Sequence, residues 1–339
     1  MKKNKGQKEK TAEQLIQRGR ELKYDRKVWE SIDVFDEVVS RFGQSTAIPV
    51  MEKVATALME KALALRAISQ FDDMVSVCDE VVSRFGDTKD PRIQYYVAKA
   101  LIGKANALDD LHLLDDQLAA YDAFVDRFGD SDDLELRQDV ALALVAKSRF
   151  LNKNDRMEEE MAVQDDIISR FEGETRPVLV KFVTQAMLDK ADTLGKLGRR
   201  EEEIAVYDEI DKRFGIPAYK TDPNILGAVA RAMVNKAEAL VPLGRHEESI
   251  AVCDEVVARF EDSRLSTLGD LIARVTLTKC FNLGMMNQVD AAVAFCDQAM
   301  DRLGGAEEAE EIKKMIRMVS AELFKPENRG WWQGFMDDR

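Results

Sequence analysis

The chain is 339 residues long, 45% hydrophobic and 33% charged, the balance of a folded and well-solvated protein. Sixty-three acidic against 49 basic residues leave a formal net charge of −14, which argues against a nucleic-acid surface, since that needs clustered positive charge. The four cysteines (Cys78, Cys253, Cys280, Cys296) have no CxxC spacing, and with only His112 and His246 in the chain no zinc site is expected.

In chain order, residues 1–10 (MKKNKGQKEK) read as a disordered basic tail that solubilises the chain. No apolar run follows, so neither a secretory leader nor a membrane span is expected, and the thiols read as reduced in a cytoplasmic protein. From residue 11 to 304 the sequence repeats. Arg-Phe recurs at Arg41-Phe42, Arg84-Phe85, Arg127-Phe128, Arg170-Phe171, Arg213-Phe214 and Arg259-Phe260, and decays to Arg302-Leu303. The intervals are 43 residues, with a single 46 before the sixth copy. Five residues before each arginine stands an aspartate: Asp36, Asp79, Asp122, Asp165, Asp208, Asp254 and Asp297. A base keeps the same beat as Arg18, Lys61, Lys104, Lys147, Lys190, Lys236 and Lys279.

Each copy reads as two helices, A and B. In the sixth, Val229, Met233, Val234, Ala237 and Leu240 fall at helical spacing, Gly244 ends that helix, and Ile250, Cys253, Val256, Val257 and Phe260 make the stripe of the next. Asp-Pro at Pro91 and Pro223, and Arg176-Pro177, supply starts. The copies are placed near 11–43, 47–86, 90–129, 133–172, 176–215, 222–261 and 265–304. Residues 305–325 read as a capping helix, and 326–339 as a tail carrying Trp331, Trp332 and Phe335.

These features resemble the tetratricopeptide repeat, a helical hairpin with a small residue in helix A, glycine before the turn and an aromatic in helix B. The small residue follows the recurrent base as Gly19, Ala62, Ala105, Ser148, Ala191, Ala237 and Cys280; the pre-turn glycine is Gly198 or Gly244; the aromatic is Phe35, Tyr121 or Tyr207. The unit departs from the family in its 43-residue length, against 34, and in large or polar residues early in helix B: Met74, Gln117, Glu160 and Glu203. The resemblance implies an all-α fold, a right-handed α-solenoid of seven helix-turn-helix repeats closed by the C-terminal helix. No hairpin buries its apolar stripe alone, and stacking does so.

The ladders read first as structure. Acids at Glu37, Glu80, Asp166, Glu209 and Glu255 stand four residues before the arginine, the favoured surface pair. Lys61 and Asp79 lie equidistant from the turn near Gln70, and Asp79 and Lys104 are symmetric about the next, so a Lys–Asp ladder fixing helix register is expected. It would take in Lys61, Asp79, Lys104, Asp122, Lys147, Asp165, Lys190, Asp208, Lys236 and Asp254. The cysteines of helix B read as packing residues.

The resemblance places a binding groove on helix A. Two residues before each base the chain is always apolar, whereas two after it varies as Arg20, Leu63, Asn106, Arg149, Asp192, Glu238 and Phe281. These, with Lys99, are the candidate partner-binding residues. The family's Lys–Asn carboxylate clamp lacks its lysine here, while Arg20, Arg149 and Lys99 would suit an acidic segment. Trp331, Trp332 and Phe335 either dock on the cap or anchor a partner or a second copy. With no phosphate loop, nucleophile motif, metal cluster or cofactor site, the expected function is a non-catalytic scaffold or adaptor for a protein or peptide. The alternative is a regulatory sensor whose curvature responds to a bound peptide or small ligand.

Overall fold

A computed structural model describes residues 2–219, 221–260 and 268–288, with 290–292, 294, 295 and 298; side chains are described from residue 7 onward. Among these residues the chain is helical without strands. The helices are α1 (Lys2–Tyr24), α2 (Val28–Phe42), α3 (Ile48–Ala67), α4 (Phe71–Phe85), α5 (Pro91–Asp110), α6 (Leu114–Phe128), α7 (Leu134–Lys153), α8 (Met157–Arg170), α9 (Pro177–Lys196), α10 (Arg200–Phe214), α11 (Pro223–Leu240), α12 (His246–Phe260) and α13 (Leu268–Met285). Helix A is the odd member of each pair and helix B the even one. The chain divides into two compact units, residues 1–147 and 148–339. In the first, α1 packs on α2 and α3, and α3 on α4 and α5; in the second, α9 packs on α10 and α11, and α11 on α12 and α13. Among the described residues no helix is long and apolar enough to cross a membrane.

Helix α1 begins at Lys2, where a disordered tail was expected, because Lys, Gln and Glu are good helix formers that an adjoining helix can extend. The cap at 305–325, the tail at 326–339 and the B helix of the last copy, with Cys296 and Asp297, lie outside the described residues, apart from scattered positions in that helix.

Helix A is buried almost all round. On α3, Val54, Ala55, Ala57, Leu58, Ala62, Ala64 and Leu65 are all buried, leaving one narrow stripe open. Helix B is amphipathic instead, and its terminal phenylalanine (Phe42, Phe85, Phe128, Phe171, Phe214, Phe260) is buried in every described copy. That explains the Phe half of the dipeptide. The arginine beside it pairs with the acid four residues back, as Arg41 with Glu37 (2.6 Å), Arg84 with Glu80 (2.7 Å) and Arg170 with Asp166 (2.8 Å). Arg259 also donates to the Gly215 carbonyl (2.9 Å), satisfying the open C-terminus of the preceding helix B.

A further ladder is visible only in the structure. Every A–B turn contains one left-handed residue: Arg26, Ser69, His112, Asp155, Gly198, Gly244 and Asn287, with φ between 57° and 74°. The N–H after it returns to the carbonyl of Leu22, Leu65, Leu108, Leu151, Leu194, Leu240 or Leu283 at 2.8–3.2 Å. This is the Schellman closure, yet only two of the seven positions are glycine. A Cβ at left-handed φ costs roughly 1–2 kcal/mol, partly offset by the extra freedom glycine gives the unfolded chain. Ser69→Gly and His112→Gly are each expected to stabilise by roughly 0.5–1 kcal/mol, read as a higher thermal midpoint; a lower midpoint for both would refute the strain.

Asp-Pro starts behave as expected. Asp90 accepts from the Arg92 N–H (3.0 Å), and Asp222 from those of Asn224 (2.9 Å) and Ile225 (3.2 Å).

Candidate recognition surface

The lysine and aspartate ladders meet, but in one sense only. Lys61 reaches Asp36 and Lys104 reaches Asp79 (both 2.6 Å); Lys147 reaches Asp122, Lys190 Asp165 (2.5 Å), Lys236 Asp208 and Lys279 Asp254. Each lysine thus takes the aspartate of the preceding repeat and not the one in its own hairpin. The lysines are mostly covered but the aspartates are about half exposed, so each pair contributes only about 0–1 kcal/mol. The ladder joins successive repeats at the surface. It is not a buried one.

Helix A meets the next helix A through side chains 40 residues apart in the first unit, and 36, 39 or 46 apart in the second. In the first unit Arg20 donates to Glu60 (2.7 Å), Thr56 to the Tyr96 hydroxyl (2.9 Å), and Lys53 pairs with Glu13. In the second, Arg231 donates to Gln185 (2.9 Å), while Arg274 holds Glu238 through two bonds (2.9 and 2.6 Å) and Asn235 through a third (2.6 Å). Successive A helices are laced along their open stripes.

On those stripes the candidates fare differently. Leu63, Asn106 and Arg149 are exposed and Lys99 is half-buried. Arg20 and Glu238 are on the stripe but already engaged in the ion pairs above. Asp192 accepts from the Tyr207 hydroxyl (3.3 Å), which also lies 3.3 Å from Glu203. Phe281 is 8% exposed, so it belongs to the core and not to an open surface: the stripe of α13 turns inward there. Trp331, Trp332 and Phe335 lie outside the described residues.

The beat five residues before the base was missed. It supplies Thr56, Lys99, Leu142, Gln185, Arg231 and Arg274, one helical repeat of seven from the position two after it, and that spacing was the available signal. In the second unit the stripe is polar. The wall of protein around Asp189 and Asp192 raises both carboxyls above their ordinary range although solvent reaches Asp192, and the Asp189 carboxylate adds to the effect on Asp192. Burial likewise raises Glu203, which Arg200 pairs with at 2.8 Å, and the Tyr207 phenol. In the first unit the stripe carries, beside its ion pairs, exposed apolar side chains. Leu63 (49% exposed), Tyr95 (45%) and Leu142 (52%) are the large apolar side chains exposed more than one turn inside a helix among the described residues.

No group of three or more His, Cys, Asp or Glu is placed to hold a metal among the described residues. Cys78 and Cys253 are buried free thiols, with burial pushing each pKa to about 12. Cys280 is disulfide-bonded, which departs from the expectation of reduced thiols throughout. It occupies the small-residue site of helix A that faces helix B, the site at which Gly19 meets Phe35 in the first copy.

The profile of the tetratricopeptide repeat matches residues 230–262, from mid-α11 through α12. The matched segment, one A–B hairpin, resembles that repeat. Among solved structures this repeat protein is similar to the apo form of RapI, with a TM-score of 0.55 and 11% identity over 96% of this chain and 85% of that one. It is more loosely similar to a tetratricopeptide repeat protein from Parabacteroides merdae ATCC 43184 (TM-score 0.39, 12% identity, 91% and 99% covered). The apo quorum sensor NprR from B. thuringiensis also aligns (TM-score 0.45, 10% identity, 94% and 84% covered). At such identities the RapI likeness speaks for the fold alone. A search of curated proteins gave no significant match.

Proposed function

We propose that this repeat protein is a non-catalytic recognition scaffold that holds a protein or peptide segment along the open stripes of its A helices. The observation that carries the reading is the placement of exposed apolar side chains. Leu63, Tyr95 and Leu142 break the solvated pattern in helix interiors, and all three fall on helix A. Leaving such side chains in water forgoes stabilisation that burial would give, so a covering partner is the economical explanation. Repeat-to-repeat variation on the same stripe, against fixed flanking beats, supports the same reading.

A library of random dodecapeptides panned against the immobilised protein tests it. Enriched sequences are expected to lose at least tenfold in affinity with Leu142→Asp on α7 and to be indifferent to Asp126→Ala on the solvated side of α6. The absence of enrichment, or enrichment blind to Leu142→Asp, would remove the stripe from the account.

A further inference from the structure

The third copy departs from the repeat at two beats of helix B. Seven residues before the recurrent arginine the other copies have Val34, Val77, Val163, Val206, Val252 and Phe295, but the third has Ala120. Four residues before it, where the others have an acid or Gln298, the third has Ala123. Arg127, left without that acid, donates instead to Gln94 of α5 (3.1 Å). Beside the two short side chains lies a cavity of about 370 Å³ between α4, α5 and α6. That size falls in the roughly 300–1,000 Å³ range of ligand sites. Leu101, Leu108 and Val75 give it apolar walls, and Leu113, 44% exposed, forms its lip. Helical spacing puts Leu101, Lys104 and Leu108 on the side of α5 opposite Lys99 and Asn106, so the cavity is separate from the A-helix stripe.

One end of the cavity is acidic. The first turns of α4 and α6 and the last turn of α5 lie there and carry Asp72, Asp73, Asp109, Asp110, Asp115 and Asp116, all exposed. A carboxylate in a first turn suits the helix dipole, but Asp109 and Asp110 stand in a last turn, where the dipole disfavours them. Neither makes an ion pair among the described residues, and the last turns of α1, α3, α7 and α9 carry a base instead. Local helix energetics do not account for these two acids. Lys104, the base that lines the cavity, is held by Asp79 (2.6 Å).

We propose that this cavity is a docking site for a partner protein segment that inserts one large apolar side chain flanked by lysine or arginine. The apolar group fills the space beside Ala120 and Ala123 and covers Leu113, and its burial supplies the anchor. The flanking cations lie over Asp109, Asp110 and Asp116, whose summed field speeds and orients their approach. A partner held here leaves the A-helix stripes free.

Fluorescence anisotropy with labelled SGKRWRKGS, SGKRARKGS and SGEDWDEGS tests the site. The first peptide is expected to bind at least fivefold more tightly than either of the others, and its margin over the acidic one should shrink as salt rises. Combining Ala120→Val with Ala123→Gln installs residues that other copies carry at these beats. That variant should weaken the first peptide at least tenfold while its thermal midpoint equals or exceeds that of the wild type, so that lost binding is not lost folding. Asp110→Lys together with Asp116→Lys should reverse the preference between the basic and acidic peptides. No measurable binding of the first peptide, equal affinity for its alanine counterpart, or binding unmoved by the double substitution at Ala120 and Ala123 overturns the proposal. Binding that falls with Leu142→Asp but not with that double substitution would put the peptide on the stripe, which overturns the proposal and leaves the scaffold reading standing. Self-association that the double substitution abolishes would put a second copy in the cavity and also overturn it.

Discussion

Phe35→Ala is expected to cost about 3–5 kcal/mol, because the ring is fully buried between α1 and the rest of its hairpin and alanine leaves a cavity the packed helices close only in part. Its neighbour sharpens the test. A Cβ at Gly19 would lie 2.4 Å from Phe35 Cε1 and 2.7 Å from Cζ, so Gly19→Ala forces a buried ring to move. Overpacking of that kind costs roughly 1–3 kcal/mol, against which the better helix propensity of alanine returns about 1 kcal/mol. The second copy solves the same contact with Ala62 and Cys78. Gly19→Ala should therefore destabilise the wild type but stabilise the Phe35→Cys variant, a change of sign between backgrounds. Thermal midpoints of the four proteins by circular dichroism decide it. The same penalty in both backgrounds would mean that the two residues are not in the contact described.

Glu160→Ala should be nearly as damaging, at about 3–5 kcal/mol. This carboxylate is 2% exposed and is held by neutral donors: Asn152 Nδ2 and Gln164 Nε2 at 2.9 Å, and Thr193 Oγ1 at 3.3 Å. Alanine would leave the Asn152 amide facing a void and Gln164 with only its long bond to Ser148 (3.4 Å), while Thr193 keeps the Asp189 carbonyl (3.0 Å); an unmet donor costs about 1–3 kcal/mol unless water enters. Glu160→Gln keeps the volume and one acceptor oxygen, so its loss should be the smaller of the two. Thr193→Val removes one donor with its partner still satisfied, and in the Glu160→Ala background its own cost should vanish. Equal losses for the alanine and glutamine variants in urea titrations would show that neither side-chain volume nor a single acceptor oxygen matters at this position, and that only the complete carboxylate does.

Both sites show how far the sequence could be read. The large or polar residue early in helix B was visible as a departure, at Met74, Gln117, Glu160 and Glu203, but its partners were not. Thr193 lies 33 residues beyond Glu160, in the next repeat, and no local spacing connects them. The Gly19–Phe35 contact was half legible, since both stood on recognised ladders; that they touch follows only from the closed hairpin. The candidate surface divides in the same way. The position two after the base was found, and the one seven residues earlier was overlooked although helical spacing implies it. Phe281 was misplaced because a beat in sequence does not say which side of a helix its neighbours cover.

The sequence by itself determined the repeat length, the two-helix unit, the helix starts at proline and the buried phenylalanine ladder. All of these are local: a period of 3.6, an N-cap or a breaker acts within a few residues, and the 43-residue periodicity imposes the same local structure on each copy. The tertiary structure decided which aspartate each lysine meets and which stripe residues are already committed to ion pairs. Those depend on how one hairpin lies against the next. Side chains that meet between A helices are 40 residues apart in the first unit and 36 to 46 in the second, not at the 43-residue period, and packing between helices fixes those offsets.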